Sequence, residues 1–339
     1  MWQAVLEHPE KIIFREIKKP VISNNDVLIK VNRIGICGSD IKAYYGKHPY
    51  IKCPIVQGHE FSGVIAGKGK SVRRFNLKDR VTVRPQIVCG QCYQCKQGNY
   101  HICDELKVIG CQAEGAAQQY LKVDQSLVVK FPKRMSYEEG AMIEPVAVAV
   151  HALAKAGQVR GQKVLVLGAG TIGNLTAQVA KALGAISVAI TDLSDYRLKV
   201  AKECGVDHTV NVSQTDLTAF LEKRFGKNKA DFIFECVGET ETINHAINLA
   251  RKGSDIIVVG VFDKKPQLNI GLVQDRELRL IGSLMYKRED FIRAIKLIQS
   301  KKIRLSPLMS KTFGFRDYPE AYKFIEKSRD EVMKVFIKF

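Results

Sequence analysis

Two kinds of apolar patterning divide the chain, and they change over at Lys163. Before that point apolar and polar positions alternate in short runs. Val27, Ile29 and Val31 fall on one face of an extended segment, with Lys30 and Asn32 on the other. That spacing predicts a half-buried strand. Pro20, Ser23, Asn24 and Asn25 predict a turn before it. Gly63-Val64-Ile65-Ala66 and Arg80-Val81-Thr82-Val83 read as further short strands. After Lys163, near-continuous apolar runs alternate with helical patterns. The predicted strands are 163–167, 187–192, 208–212, 231–237, 255–261 and 278–282. Helical patterns such as Asp195 to Glu203 and Thr242 to Ala250 separate most of them. This alternation predicts a parallel sheet covered by helices on both faces. Two more helical patterns follow, Asp290 to Ile298 and Pro319 to Glu326, and then a last strand, Val332 to Phe339.

The first predicted strand of the second half runs into Gly168-Ala169-Gly170-Thr171-Ile172-Gly173. Ile172, Leu175, Val179 and Leu183 then recur at helical spacing until Gly184. In a G-x-G-x-x-G turn the first glycine permits the bend and the second lets backbone approach a pyrophosphate. The third lets helix and strand pack closely. The glycines alone are a weak signal, because such spacings occur in many loops. The second strand adds weight by ending at Asp192, 24 residues after Gly168. A carboxylate there can bond the adenosine ribose hydroxyls and repel a 2′-phosphate, which favours NAD over NADP. A helix-capping role for Asp192 stays open, and Arg197 nearby is able to accommodate a 2′-phosphate.

Length and charge narrow the class. The chain has 339 residues, enough for about two domains. No apolar run reaches membrane-spanning length, since Glu144 and Pro145 interrupt Ala141 to Val150. The start of the chain lacks a basic segment followed by an apolar core, so a cytoplasmic location is expected. Net charge is +18, from 53 basic and 35 acidic residues, which raises a nucleic-acid partner. The lysines are scattered, however, and runs such as Lys227-Asn228-Lys229 and Lys301-Lys302 read as solvated surface. No nucleic-acid partner and no membrane partner is expected.

Cys89-x-x-Cys92-x-x-Cys95 followed by Cys103 is the most specific local signal. Four thiolates within fifteen residues match a closed tetrahedral zinc site that staples a loop. A second constellation is Cys37, His59, Glu60 and Glu144, all residue types that zinc accepts. Taken singly each has an ordinary alternative. Cys37 reads as a small buried hydrophobe, His59 as a core histidine, Glu60 as a surface charge and Glu144 as a helix-start carboxylate beside Pro145.

Together these motifs resemble the zinc-containing medium-chain dehydrogenases, most closely the polyol (sorbitol), sugar-acid, threonine and butanediol branch. The resemblance runs end to end through Gly35-Ile36-Cys37-Gly38-Ser39-Asp40, Gly58-His59-Glu60, the four-cysteine lobe, Ile143-Glu144-Pro145, the glycine turn and Thr191-Asp192 with Arg197. It implies an α/β protein with a GroES-like β-rich catalytic domain over 1–150, carrying the lobe at 89–103. A doubly wound, six-stranded parallel Rossmann domain would span 151–285. Residues 286–339 would return to the catalytic domain. It implies two zinc ions per chain and NAD. Cys37 and His59 would bind the catalytic zinc, Glu60 would be the third ligand or its exchange partner, and Glu144 would bind the metal or hold its water. Gly168, Gly170, Thr171, Ile172, Gly173, Asp192, Arg197, Val259, Gly260, Val261 and Met285 would contact the cofactor.

The implied reaction is reversible oxidation of a secondary alcohol to a ketone, with the small-molecule substrate in a cleft between the domains. Ser39 occupies the family's proton-relay place. Lys42 stands where the relay usually continues through histidine, and is a candidate for moving a proton or binding phosphate. Met285 replaces an arginine found in sorbitol dehydrogenases, so sorbitol itself is less expected. Gly115-Ala116-Ala117-Gln118-Gln119 stands where the family usually has two glycines and an aromatic. Threonine or 2,3-butanediol dehydrogenase is the nearest alternative, and a nucleic-acid-binding zinc protein a remote one. A homodimer or homotetramer is expected.

Overall fold

A computed structural model describes residues 1–227 and 229–339, so the Lys227-Asn228-Lys229 run is only partly described. The chain divides into two compact units. One comprises Met1–Glu144, Met309–Arg329 and Lys334–Phe339. The other comprises Pro145–Leu308 and Asp330–Met333. Residues 286–308 therefore pack with the second unit, and the chain re-enters the first at Met309.

The second unit is built on six parallel strands: β1 (Lys163–Leu167), β2 (Ser187–Asp192), β3 (His208–Asn211), β4 (Phe232–Glu235), β5 (Asp255–Val258) and β6 (Arg279–Gly282). Their spatial order is β3-β2-β1-β4-β5-β6, so strand order reverses between β1 and β4. That is the doubly wound arrangement, and its ligand crevice lies outside the carboxyl ends of the strands at the reversal. Val164, Leu165 and Val166 are fully buried, as a strand covered on both faces requires. Helix α1 (Thr171–Ala182) follows β1, and α2 (Asp195–Glu203) follows β2.

The first unit is held by a seven-stranded sheet. Its central strand, Asp26–Gly35, pairs antiparallel with Glu60–Lys68, Lys334–Lys338 and Tyr120–Asp124. Val27, Ile29 and Val31 are buried there while Lys30 is exposed, as the alternation predicts. One element goes against the sequence reading. Tyr137–Ala156 is a continuous 20-residue helix that runs through Pro145. Glu144 is therefore mid-helix and not a helix-start carboxylate. Proline removes one backbone donor and clashes with the preceding turn, so an apolar stretch broken by Glu-Pro does not read as one helix. No described helix is long and apolar enough to cross a membrane.

Glu235, at the end of β4, fixes two loops at the carboxyl edge of the sheet. Its Oε1 accepts from the Val237 and Gly238 N–H groups and from the Thr242 hydroxyl at 2.8–2.9 Å. Its backbone carbonyl accepts from the Val259 and Gly260 N–H groups. The side chain is fully buried, so removing it takes the acceptor from the buried Gly238 N–H and loosens the Val237 and Thr242 contacts. Glu235→Ala is expected to lose about 3 kcal/mol of unfolding free energy, whereas Glu235→Gln, which keeps an acceptor, loses under about 1 kcal/mol. Denaturant unfolding of both variants checks this, and equal losses would contradict it.

Candidate active site and dinucleotide cradle

The strand Asp26–Gly35 delivers Cys37 to the start of a short helix, Gly38–Tyr44. Cys37 is the N-cap, and its N–H donates to Asp40 Oδ2 at 3.0 Å. Ser39 Oγ lies 3.8 Å from the Cys37 sulfur, where a relay hydroxyl is expected. Lys42 is half-buried on the same helix.

The adjacent strand begins at Glu60, directly opposite Gly35, so this pairing brings His59 and Glu60 beside Cys37. One ligand atom from each of Cys37, His59 and Glu60 lies within 4.8 Å of the other two. Gly115 approaches the preceding turn so closely that a Cβ on it would stand 2.4 Å from the Gln57 carbonyl. Ala116 and Ala117 donate backbone hydrogen bonds to Gly58 and Gln57. The Gly115-Ala116-Ala117 departure thus acts as a backbone rail that sets the turn before His59.

Glu60 is not a surface charge. It is 1% exposed, and both its oxygens accept from Lys334 Nζ, at 2.8 and 2.7 Å. Burial works against the Lys334 ammonium, but Glu60, Cys37 and Glu144 more than offset that and raise its pKa. His59 is buried with its Nδ1 3.6 Å from Asp40 Oδ1 and 3.9 Å from the Cys111 sulfur. Burial opposes a charged imidazole there, yet Asp40, Cys111 and Cys37 raise its pKa well above the ordinary value. A field that draws a proton to this ring also draws a divalent cation to the same place, and the thiol, imidazole and carboxylate set suits zinc. Glu144 is buried, in the middle of its helix and outside the close trio.

Sequence reading missed Asp40 and Lys334. Asp40 was legible in part, as an acidic residue three positions after an N-cap. Lys334 had no local signal, because it lies 274 residues from Glu60.

The second cluster, Cys89, Cys92, Cys95 and Cys103, comes together as its spacing predicts. Cys103 Sγ is 3.5 Å from that of Cys89 and 3.9 Å from that of Cys92. Zinc–sulfur bonds of about 2.3 Å in a tetrahedron put sulfurs roughly 3.8 Å apart, so the lobe fits a structural zinc ion. Backbone N–H groups of Asp104 and Cys95 lower the Cys92 pKa to about 7.

In the other unit, the glycine turn separates its three roles. Gly168 has φ +95°, a conformation that side chains rarely adopt. A Cβ on Gly173 would stand 1.8 Å from the Gly168 carbonyl oxygen. A Cβ on Gly170 would meet no protein atom within 4 Å. The space beside Gly170 is therefore open. Gly170 is also the N-cap of α1, with no side-chain cap, so N–H groups of the first turn remain for a phosphate.

Asp192 takes the Ala169 N–H at 2.7 Å on one oxygen and those of Leu193 and Ser194 on the other. The cap of α2 is Ser194, so Asp192 is not a helix cap. Arg197 Nη1 stands 4.0 Å from Asp192 Oδ2. Exposed apolar side chains gather just past the carboxyl ends of the strands: Leu193, Val237, Val261 and Leu284. Flat rings of a dinucleotide would cover such side chains. Met285 follows them with φ +52°, and Val259 and Gly260 are fixed by Glu235.

Two family models match the chain: an alcohol dehydrogenase GroES-like domain over residues 23–133 and a zinc-binding dehydrogenase domain over 171–300. The D-xylulose reductase of Saccharomyces cerevisiae is 34% identical, covering 94% of this chain and 92% of its own. The chain belongs to the zinc-binding dehydrogenases. Among similar solved structures, a zinc-binding dehydrogenase from Sinorhizobium meliloti bound to NADP has a TM-score of 0.91 and 28% identity, covering 100% of this chain and 99% of its own. An alcohol dehydrogenase from Escherichia coli CFT073 complexed with NADH has a TM-score of 0.93 and 30% identity, with the same coverages. This dehydrogenase is thus a zinc-dependent oxidoreductase with a nicotinamide cofactor.

The glycine geometry makes a paired prediction. Gly170→Ala is expected to fold normally and to weaken NADH binding about ten-fold or more, because its Cβ enters the ligand's space. Gly173→Ala is expected to lose about 3 kcal/mol or more of stability, because its clash is with backbone. NADH fluorescence titration and thermal unfolding separate the two.

Proposed function

We propose that this dehydrogenase reversibly oxidises a secondary alcohol of a polyol, sugar acid or vicinal diol to a ketone, with NAD as acceptor. The close trio of Cys37, His59 and Glu60 beside Ser39 carries this reading, and a relative named for D-xylulose supports the substrate class. Cys37, His59 and Glu60 would hold the catalytic zinc, with Glu144 as a direct ligand or holding its water. Zinc bound there would supply positive charge that makes the substrate hydroxyl easier to ionise. NAD would supply the hydride acceptor. Gly168, Gly170, Thr171, Ile172 and Gly173 seat its pyrophosphate and Asp192 its ribose, while Arg197, Val259, Gly260, Val261 and Met285 line its remaining length.

The chain's own residues position and deprotonate. Asp40 Oδ1, 3.6 Å from His59 Nδ1, is assigned the part of orienting that ring. Ser39 Oγ receives the hydroxyl proton and passes it on to solvent, with Lys42 as a candidate next carrier. Cys89, Cys92, Cys95 and Cys103 hold a second zinc that staples their loop. The unit around Cys37 is assigned catalysis and the unit around Gly168 cofactor binding. We place the protein in the cytoplasm, acting on a small molecule, as a homodimer or homotetramer. Clustered cysteine thiols fit a reducing compartment.

Cys37→Ser is expected to lower NAD reduction on the best substrate about a thousand-fold or more, with two zinc ions per chain falling toward one and the fold intact. Steady-state kinetics, metal analysis and circular dichroism read this out. No zinc-dependent NAD reduction across a panel of polyols, sugar acids and diols would sink the proposal. Asp192→Ala is expected to shift preference toward NADP about ten-fold, since it removes the charge that repels a 2′-phosphate. The ratio of kcat/KM for the two cofactors checks it.

A further inference from the structure

We propose that Lys334 competes with the metal for Glu60 and so lowers the affinity of this site for its cation. The inference rests on reading Cys37, His59 and Glu60 as the metal site.

Among the described residues, Lys334 is the only lysine or arginine that is buried, in a chain with 53 of them. It begins the last strand, Lys334–Lys338, which pairs with Asp26–Gly35 through Phe336 and Gly35. Gly35 in turn pairs with Glu60. The ammonium therefore lies where the Cys37-bearing and Glu60-bearing segments meet. All three of its donors are used. Two go to Glu60 Oε1 and Oε2, at 2.8 and 2.7 Å, and the third goes to the Ile36 carbonyl at 3.1 Å, one residue before Cys37. The lack of a side chain at Gly35 gives this carboxylate its place, because a Cβ there would stand 2.5 Å from Oε2.

A cation arriving between Cys37 and His59 thus meets a carboxylate already neutralised on both oxygens. Each oxygen keeps a further lone pair, so Glu60 can still be recruited. Full recruitment, however, draws charge away from a buried ammonium, and a buried ion left without its partner is strongly disfavoured. The same pair keeps Glu60 satisfied when the metal leaves. Lys334 therefore lowers affinity at this site and narrows the gap between its empty and loaded states. An ordinary outer-shell partner acts the other way, since its loss weakens metal binding.

The test is metal affinity. Zinc is removed from purified protein and cobalt titrated back, with the cobalt–thiolate absorption of Cys37 as the signal. Cys37→Ser identifies that band against the band of the four-cysteine lobe. Lys334→Met is expected to bind cobalt about ten-fold or more tightly than the natural chain, the size of an outer-shell effect but of opposite sign. Zinc release to a chelator should slow at one site and stay unchanged at the other. Lys334→Arg, which keeps the charge, should match the natural chain. If Lys334→Met does not fold, Lys334→Gln keeps N–H donors without the charge, and it should move affinity in the same direction. Unchanged or weaker cobalt binding in the folded neutral variant overturns the proposal. Absence of any Cys37-dependent band in the natural chain overturns the metal-site reading as well.

Discussion

Charge taken out of water must find a partner, and around Cys37 this requirement shapes the local fold. Glu60, Asp40 and Glu144 are buried in the same unit as Cys37 and His59. Unpaired buried carboxylates would cost several kcal/mol each. Lys334 answers Glu60, and Asp40 stands 3.6 Å from the ring of His59, whose pKa it raises. Strand pairing supplies the means. Gly35 opposes both Glu60 and Phe336, so one short stretch of sheet assembles groups from three distant parts of the sequence. A divalent cation held by Cys37, His59 and Glu60 would add to that balance, and a thiol, imidazole and carboxylate set suits one.

The other unit depends on backbone approaching backbone. Gly173 sits against the Gly168 carbonyl, Gly238 against Val261, and Gly260 against Gly238. Such contacts leave no room for a Cβ, so loops at the carboxyl edge of the sheet are set by close packing rather than by long side chains. Glu235 then fixes two of those loops from beneath. Gly170 is the exception within the turn, with open space where its side chain would be. A rigid frame with one deliberate gap is what binding a pyrophosphate by backbone N–H groups requires.

Much of this was legible in the sequence because it is local. Asp195–Glu203 coincides with its helical pattern, and the six strands fall where near-continuous apolar runs stand. The four-cysteine lobe closes within one loop, so spacing alone identified it. The trio of Cys37, His59 and Glu60 was not legible from spacing, and the family resemblance proposed it. Its assembly depends on which strands pair, information that no window along the chain contains. Lys334 illustrates the limit: a lysine near the end of a basic chain looks like every other surface lysine until its strand is placed beside Gly35. The helix Tyr137–Ala156 escaped notice for the opposite reason, since its own local signals argued against it and tertiary packing overrode them.

The two cysteine-containing sites also differ in what holds them together, and this bears on their roles. In the lobe, the sulfurs accept N–H groups from their own loop, and four like ligands within fifteen residues leave no open position. Such a site gains order from its metal and offers nothing for a substrate to bind. Around Cys37 the ligands are of three kinds, come from the ends of two paired strands, and include one carboxylate already engaged by an ammonium. A mixed set of this sort leaves room for a further oxygen and lets the carboxylate share its charge. Of the two clusters, the one at Cys37 gathers three close ligands where the lobe gathers four, which suits it to the proposed chemistry.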